Sequence, residues 1–208
     1  MTPALASNPV RRVAIVGLGT AGQAAAIALG RLRQQGASIE LSAFEQAADP
    51  GPVGAGFLLQ PTGQAVLGRW GLLDDARALG AEIDALRGHN QPGRLVMDMR
   101  YEGWRGLGLQ RGALFDLLRR HQPEGLQLET GCTVTGIDTE AGLLQGSDGR
   151  RWGPYDLVVV ADGSRSALRQ AVFGEAAAVP YPWGAWWGLV PAAGWARPRE
   201  LGQRYRLA

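Results

Sequence analysis

Short unbroken apolar runs alternate along this chain with longer stretches of helical periodicity, the pattern of a sheet fed by helices. Val13 to Val16 is too short for a helix and rich in β-branched residues, so it predicts a strand. The alanine-rich segment Gln23 to Leu32, closed by Gly36, predicts a helix, and Ile39 to Phe44 a second strand ending on Glu45. Phe57, Leu58 and Leu59 suggest a short extended segment before Pro61. Thr62 then reads as an N-cap for a helix that Gly71 ends. Leu72, Leu73, Ala76 and Leu79 continue a helical stripe, which reads as core packing.

From Arg94 to Tyr101 (RLVMDMRY) apolar and polar residues partly alternate between Pro92-Gly93 and Gly103, predicting a β-hairpin or a pair of strands. A helix follows Gln110 and Arg111, with Leu114, Phe115, Leu117 and Leu118 facing the core. Leu126 and Leu128 mark a half-buried strand. Thr133 to Asp138 and Leu143 to Gln145 mark two more, with a turn at Asp148-Gly149, and together these suggest a small antiparallel ribbon. The chain then returns to the main sheet at Leu157 to Val160, an apolar run of the kind buried on both faces. Ser166 is placed to cap a short helix, with Arg169 one turn in.

The candidate chemistry sits at the strand ends. Gly17, Gly19 and Gly22 have G-x-G-x-x-G spacing between a strand and a helix. Gly17 permits the tight turn, Gly19 a close approach of phosphate, and Gly22 close helix–strand packing. Thr20 and Ala21 lie in the helix start, whose N–H groups and partial positive charge favour a pyrophosphate. Glu45 is placed to accept hydrogen bonds from ribose hydroxyls, which favours FAD or NAD over NADP. Gly54 and Gly56, in a turn-rich loop, could let bare backbone pass close to a flat ligand. Arg111 stands at a helix start, where a cation is misplaced unless an anion lies nearby. Asp162 and Gly163 occupy the carboxyl end of a strand, where α/β sheets bind ligands.

Composition narrows the classes. At 208 residues and 46% apolar content, one full domain with a real core and part of another is expected. Net charge is +2, and all 21 basic residues are arginines in scattered positions, which weighs against nucleic-acid binding. The absence of lysine excludes Schiff-base chemistry. Cys132, the only cysteine, allows no disulfide within the chain and no cysteine metal cluster; it reads as a small buried residue of a cytoplasmic protein. His89 and His121 lack zinc-site spacing, and no G-x-S-x-G elbow is present. No apolar run approaches membrane-span length, and MTPALASNPV reads as a frayed arm without the basic and apolar regions of a secretory signal.

Taken together, these segments resemble the FAD-dependent aromatic hydroxylases, the para-hydroxybenzoate hydroxylase-like flavoprotein monooxygenases. The opening turn with Gly36 and Glu45 matches the FAD version. DGSRSALR fits the family's D-G-x-x-S-x-x-R at Asp162, Gly163, Ser166 and Arg169. GAGFLLQPTGQAVLGRWGL is similar to the stretch passing the isoalloxazine ring, and LQRGALFDLLR to the segment whose arginine, here Arg111, contacts FAD. The resemblance covers about residues 12 to 174.

It implies an α/β, Rossmann-like FAD-binding domain over 10–84 and 106–178. Antiparallel β segments would be inserted, and residues 85–105 and 179–208 would begin a β-rich substrate domain. It further implies that Gly17, Gly19, Thr20, Ala21, Gly22 and Glu45 hold the ADP half of FAD. Gly54, Gly56, Arg111, Asp162 and Gly163 would complete the cofactor site, and Asp162 would also serve NAD(P)H use. The implied reaction is hydroxylation of an aromatic or polycyclic small molecule through a flavin C4a-hydroperoxide, with NAD(P)H and O₂. The family's third motif, a G-D segment followed by His and Pro, has no counterpart after Arg169, so a portion of a longer protein is expected. A nucleotide-binding remnant, or a flavoprotein that does not hydroxylate, is the alternative. Trp183, Trp186 and Trp187 invite comparison with flavin halogenases, but Gly188 replaces the second tryptophan of that motif, and the tryptophans read as core.

Overall fold

The computed structural model describes residues 9–51, 54–174, 179, 182, 186, 188–191, 194, 197 and 199–206. The predicted N-terminal arm falls mostly outside these residues, as do Trp183 and Trp187 of the tryptophan cluster; Trp186 is fully exposed. The chain divides into two compact units. One takes the chain up to Gly51 and again from Leu118; the other takes the part between, together with the last strand.

The first unit begins β1 (Arg11–Val16), α1 (Thr20–Gln34), β2 (Ile39–Glu45). β1 and β2 pair in parallel with Val13 opposite Leu41 and Val16 opposite Phe44, and α1 makes the crossover. The apolar run predicted for β1 explains its place. Val13, Ala14, Ile15 and Val16 are all buried, because sheet partners flank them and packing covers both faces. Ile15 and Ala43 pack on the α1 side with Ala26, and Ala14, Val16 and Phe44 on the other side with Leu144 and Leu168. Gly30 lets α1 pass Pro123, since a methyl there would lie 2.4 Å from the proline ring.

The second unit carries β3 (Gly56–Leu59), α2 (Pro61–Arg69), α3 (Leu73–Ala78), β4 (Ala81–Ile83), β5 (Ala85–Asn90), β6 (Leu95–Arg100) and β7 (Gly106–Gln110). β3, β7 and β4 form an antiparallel sheet with β7 in the middle. β5 and β6 form the predicted hairpin. After β7 comes α4 (Arg111–Arg120), with Leu114, Phe115, Leu117 and Leu118 buried as their spacing predicts.

The chain continues in the first unit with β8 (Gln127–Thr130), β9 (Val134–Asp138), β10 (Leu143–Gly146), β11 (Arg151–Trp152), β12 (Leu157–Val160) and α5 (Arg169–Phe173); β13 (Glu200–Tyr205) belongs to the second unit. The main sheet has the order β12-β1-β2-β8, all parallel, and β9, β10 and β11 make the antiparallel ribbon. β13 lies parallel to β5, so residues from 85–105 and from 179–208 share one sheet.

Several expectations need correction. Gln60, not Thr62, is the N-cap of α2, because Pro61 fills the first helical position, where a missing N–H costs nothing. The strand at Leu128 is not part of the ribbon; it joins the parallel sheet beside β2, and Leu128 stays half-exposed at that edge. β12 is not buried on both faces. It is the opposite edge of the sheet among the described residues, and Leu157 is 49% exposed. Arg169 is the first residue of α5 rather than one turn in. Leu79 lies just past α3 and is exposed.

Candidate functional site

In the first unit the glycine turn joins β1 to α1, and each glycine has its own cause. Gly17 has φ +89° and donates its N–H to the Phe44 carbonyl at 2.8 Å. A Cβ on Gly17 would meet the Ala161 carbonyl at 2.5 Å, so the turn packs directly on the end of β12. A Cβ on Gly22 would fall 1.8 Å from the Gly17 carbonyl, which forces glycine where the helix crosses the turn. Gly19 differs: nothing lies within 4 Å of a Cβ built there. The first and third glycines serve packing, while the second leaves open space in front of the helix.

That space faces a helix start with unused donors. Gly19 is the N-cap of α1, no side chain caps it, and the first turn holds no acid. Among the described residues the N–H groups of Thr20 and Ala21, both exposed, have no protein partner, as the first amides of an α-helix require. The donors and the partial positive charge there suit a phosphate. The fit to a pyrophosphate-bearing cofactor therefore rests on room at Gly19 together with these free amides.

Glu45 ends β2 beside the turn. One carboxylate oxygen accepts the Leu18 N–H at 2.8 Å and the other the Ala47 N–H at 2.9 Å. The side chain is thus fixed between the glycine turn and the chain beyond β2. Each oxygen keeps a further lone pair for a ribose hydroxyl. The contact to Leu18 is not evident in the motif, since spacing does not show which amide the acid turns toward.

At the end of β12, Ala161 donates to the Val16 carbonyl at 2.8 Å, which brings Asp162 and Gly163 to the same sheet end as Gly17. Gly163 has φ +87°. The Arg169 guanidinium donates to the Gly163 carbonyl at 3.0 Å and the Ser164 carbonyl at 3.1 Å, and Ser166 Oγ accepts the Arg169 N–H at 3.0 Å. Arg169 holds the backbone of the turn that presents Asp162. Only the D-G-x-x-S-x-x-R spacing signalled it. Cys132, buried behind Phe44, has its thiol pushed above the ordinary range by burial, which suits a packing residue.

The remaining candidates come together in the second unit. Gly54 has φ +101°, and a Cβ on it would lie 3.3 Å from Arg111 Nη1. Arg111 donates its backbone N–H to the Ala55 carbonyl at 2.9 Å. Gly56 is explained inside the sheet: a Cβ there would meet the Leu109 carbonyl at 2.9 Å. This unit also holds a cleft of about 1030 Å³ whose lining includes Tyr101 and Trp104. Several of its charged residues are ion-paired: Arg105 and Arg199 both reach Glu82 and Asp84, and Arg87 reaches Glu200 as well as Asp98.

No family model matches the chain. Among curated proteins it is 33% identical over 183 residues to the FAD-dependent monooxygenase OpS4 of Beauveria bassiana, a match covering 82% of this chain and 41% of that protein. It is 29% identical to the asperlicin C monooxygenase of Petromyces alliaceus, covering 78% of this chain and 36% of that one. Among solved structures, 2-methyl-3-hydroxypyridine-5-carboxylic acid oxygenase matches with a TM-score of 0.69 and 26% identity, over 80% of this chain and 43% of that one. CtdE, solved with FAD and a substrate, matches with a TM-score of 0.63 and 25% identity, over 77% and 40%. By sequence and by fold the chain is a relative of the FAD-dependent monooxygenases, and it spans about two fifths of the length of those it matches.

Proposed function

We propose that this chain is the nucleotide-holding portion of an FAD-dependent monooxygenase that hydroxylates an aromatic or polycyclic small molecule. The observation that carries the reading is the open space at Gly19 in front of the uncapped start of α1, with Glu45 fixed beside it. Gly17, Gly19, Thr20, Ala21 and Gly22 would receive the pyrophosphate on backbone donors, and Glu45 the ribose hydroxyls. Asp162 and Gly163, held by Arg169, would border the same phosphates; by the resemblance, Arg111 and Gly54 would also contact the cofactor. When bound, FAD reduced by NAD(P)H would supply the oxygen-activating chemistry, by the hydroperoxide route that the resemblance implies. The residues here bind and orient; none is assigned an acid–base step. The names of the relatives support the aromatic or polycyclic substrate class: a hydroxypyridine carboxylic acid oxygenase and the asperlicin C monooxygenase.

A second reading is a nucleotide-binding portion, or a flavoprotein oxidase or reductase, without hydroxylation. Purified protein that is yellow, or turns yellow with FAD, supports the cofactor assignment; protein that stays colourless with added FAD overturns it for this chain. In yellow protein, NAD(P)H oxidation stimulated by a phenolic compound, with hydroxylated product, separates the first reading from the second.

A further inference from the structure

We propose that Met97 and Met99 are a methionine-oxidation site: hydrogen peroxide converts them to sulfoxides, and the Met97 sulfoxide takes the Tyr205 hydroxyl proton, tying β6 to β13 across β5. The inference is independent of the proposed flavin chemistry. The chain has three methionines, and two of them stand two residues apart on β6. Met97 pairs with Gly88 and Met99 with Leu86, which in turn face Gln203 and Leu201 of β13. Paired residues share a sheet face, so both thioethers lie on one side, with Leu86, Leu201 and Tyr205. The other side carries the ion pairs of Arg87 with Asp98 and Glu200.

The thioethers are open to a small oxidant. Met99 is 47% exposed and Met97 partly so, whereas Cys132, the one other sulfur among the described residues, is buried. Burial also pushes the Cys132 thiol above its ordinary range, which keeps the reactive thiolate scarce. In the step, an Sδ lone pair attacks one peroxide oxygen and the O–O bond breaks. The departing oxygen takes up the proton of the transferred one and leaves as water. Sulfur is oxidised by two electrons, peroxide is reduced, and no further reactant is needed.

Tyr205 gives the oxidation of Met97 its consequence. The Tyr205 hydroxyl lies 3.9 Å from Met97 Sδ and also meets Gln203 Oε1. A phenol has one proton to donate and a thioether is a weak acceptor, so the proton goes to Gln203. Oxidation puts a polar oxygen on Met97 within reach of the phenol, where it competes for that proton. Gly88 makes the approach possible: a Cβ there would stand 3.1 Å from Met97 Cβ and collide with the Tyr205 ring. A strand exposed along nearly its whole length thereby gains a side-chain tie to β6.

The test treats the full chain with hydrogen peroxide and maps oxygen addition by peptide mass spectrometry. The expected result is one oxygen on each of Met99 and Met97, with Met99 ahead and Cys132 unmodified. These rates are read in the parent and need no variant. Met99→Leu then isolates Met97. Once Met97 is oxidised, amides of Leu201 to Tyr205 exchange more slowly by about threefold or more, and methionine sulfoxide reductase reverses the change. Tyr205→Phe takes up oxygen at Met97 equally but shows no slowing. Met97 that resists peroxide while Met99 is consumed overturns the inference, as does Met97 reacting first. Unchanged exchange after oxidation, or slowing that persists in Tyr205→Phe, overturns the tie to β13. Flavin enters none of these readouts, so their failure leaves the cofactor assignment standing.

Discussion

Glu45 accepts the Leu18 N–H on its carboxylate at 2.8 Å, tying the end of β2 to the glycine turn in front of α1. An acid expected only to meet ribose hydroxyls is also a strut of the turn that would receive the phosphates. A hydrogen bond to a charged acceptor contributes about 1.5–3 kcal/mol. Glu45→Ala should therefore weaken FAD binding by at least about tenfold and also lower the stability of the flavin-free protein by about 1–2 kcal/mol. Flavin fluorescence titration and thermal melting read the two effects separately. An unchanged melting temperature would leave Glu45 a ribose ligand only.

The three glycines should respond differently to the same methyl group. Gly22→Ala puts a Cβ 1.8 Å from the Gly17 carbonyl, so the helix must move and the protein should lose several degrees of melting temperature or fail to fold. Gly19→Ala meets nothing within 4 Å and should leave melting unchanged. Its methyl occupies the space in front of the helix, so FAD affinity should fall by about tenfold or more, around 1.4 kcal/mol. If Gly19→Ala melts like the parent and binds FAD equally well, the phosphates lie elsewhere.

The acid limb of stability should depend on Asp156. A hydrogen bond from the Arg12 backbone N–H, and then Arg11, hold its carboxyl below the usual range. A depressed folded pKa stabilises above the unfolded value, about 3.9, and is lost as pH falls through the folded one. Melting of the parent should drop on acidification below about pH 4. Asp156→Asn should melt lower at pH 7 and show a shallower drop. Asp148, lowered by the Arg150 backbone N–H and side chain, carries its own share, so the slope should shrink rather than vanish. A slope identical to the parent's would sink the assignment.

Much of this site was legible because local rules governed it. The β1-turn-α1-β2 unit followed from apolar runs and glycine spacing, and Phe44 and Glu45 fell where a strand end must put them. The inward face of α4 followed from its periodicity. Pairing partners were less readable: the sequence around Leu128 has the alternation of a ribbon strand, but β8 adds in parallel to β2, a choice made by long-range register. Leu157 to Val160 read as interior and lies at an edge among the described residues, because burial depends on neighbours that a strand's own composition does not contain. The backbone bonds of Glu45 and Arg169 depend on rotamers, which spacing leaves open.

The antiparallel ribbon should prove coupled to the nucleotide sheet through aromatic packing. Phe44, 1% exposed and next to Glu45, has Trp152 of the ribbon at 5.0 Å between ring centroids and Tyr155 at 6.2 Å. Leu144, fully buried, completes the same cluster. Truncating a buried phenylalanine costs about 3–5 kcal/mol, and a favourable ring pair contributes about 0.5–1.5 kcal/mol beyond buried area. Phe44→Leu and Trp152→Leu, each keeping an apolar body, should be destabilising singly and less than additive together, with a coupling of about 0.5–1.5 kcal/mol in urea melts. Phe44→Leu should also weaken FAD binding, because loosening the end of β2 shifts the Glu45 carboxylate that must meet both Leu18 and the ribose. Strict additivity, with FAD affinity unchanged, would mean that the ribbon merely covers the sheet and has no hold on the site.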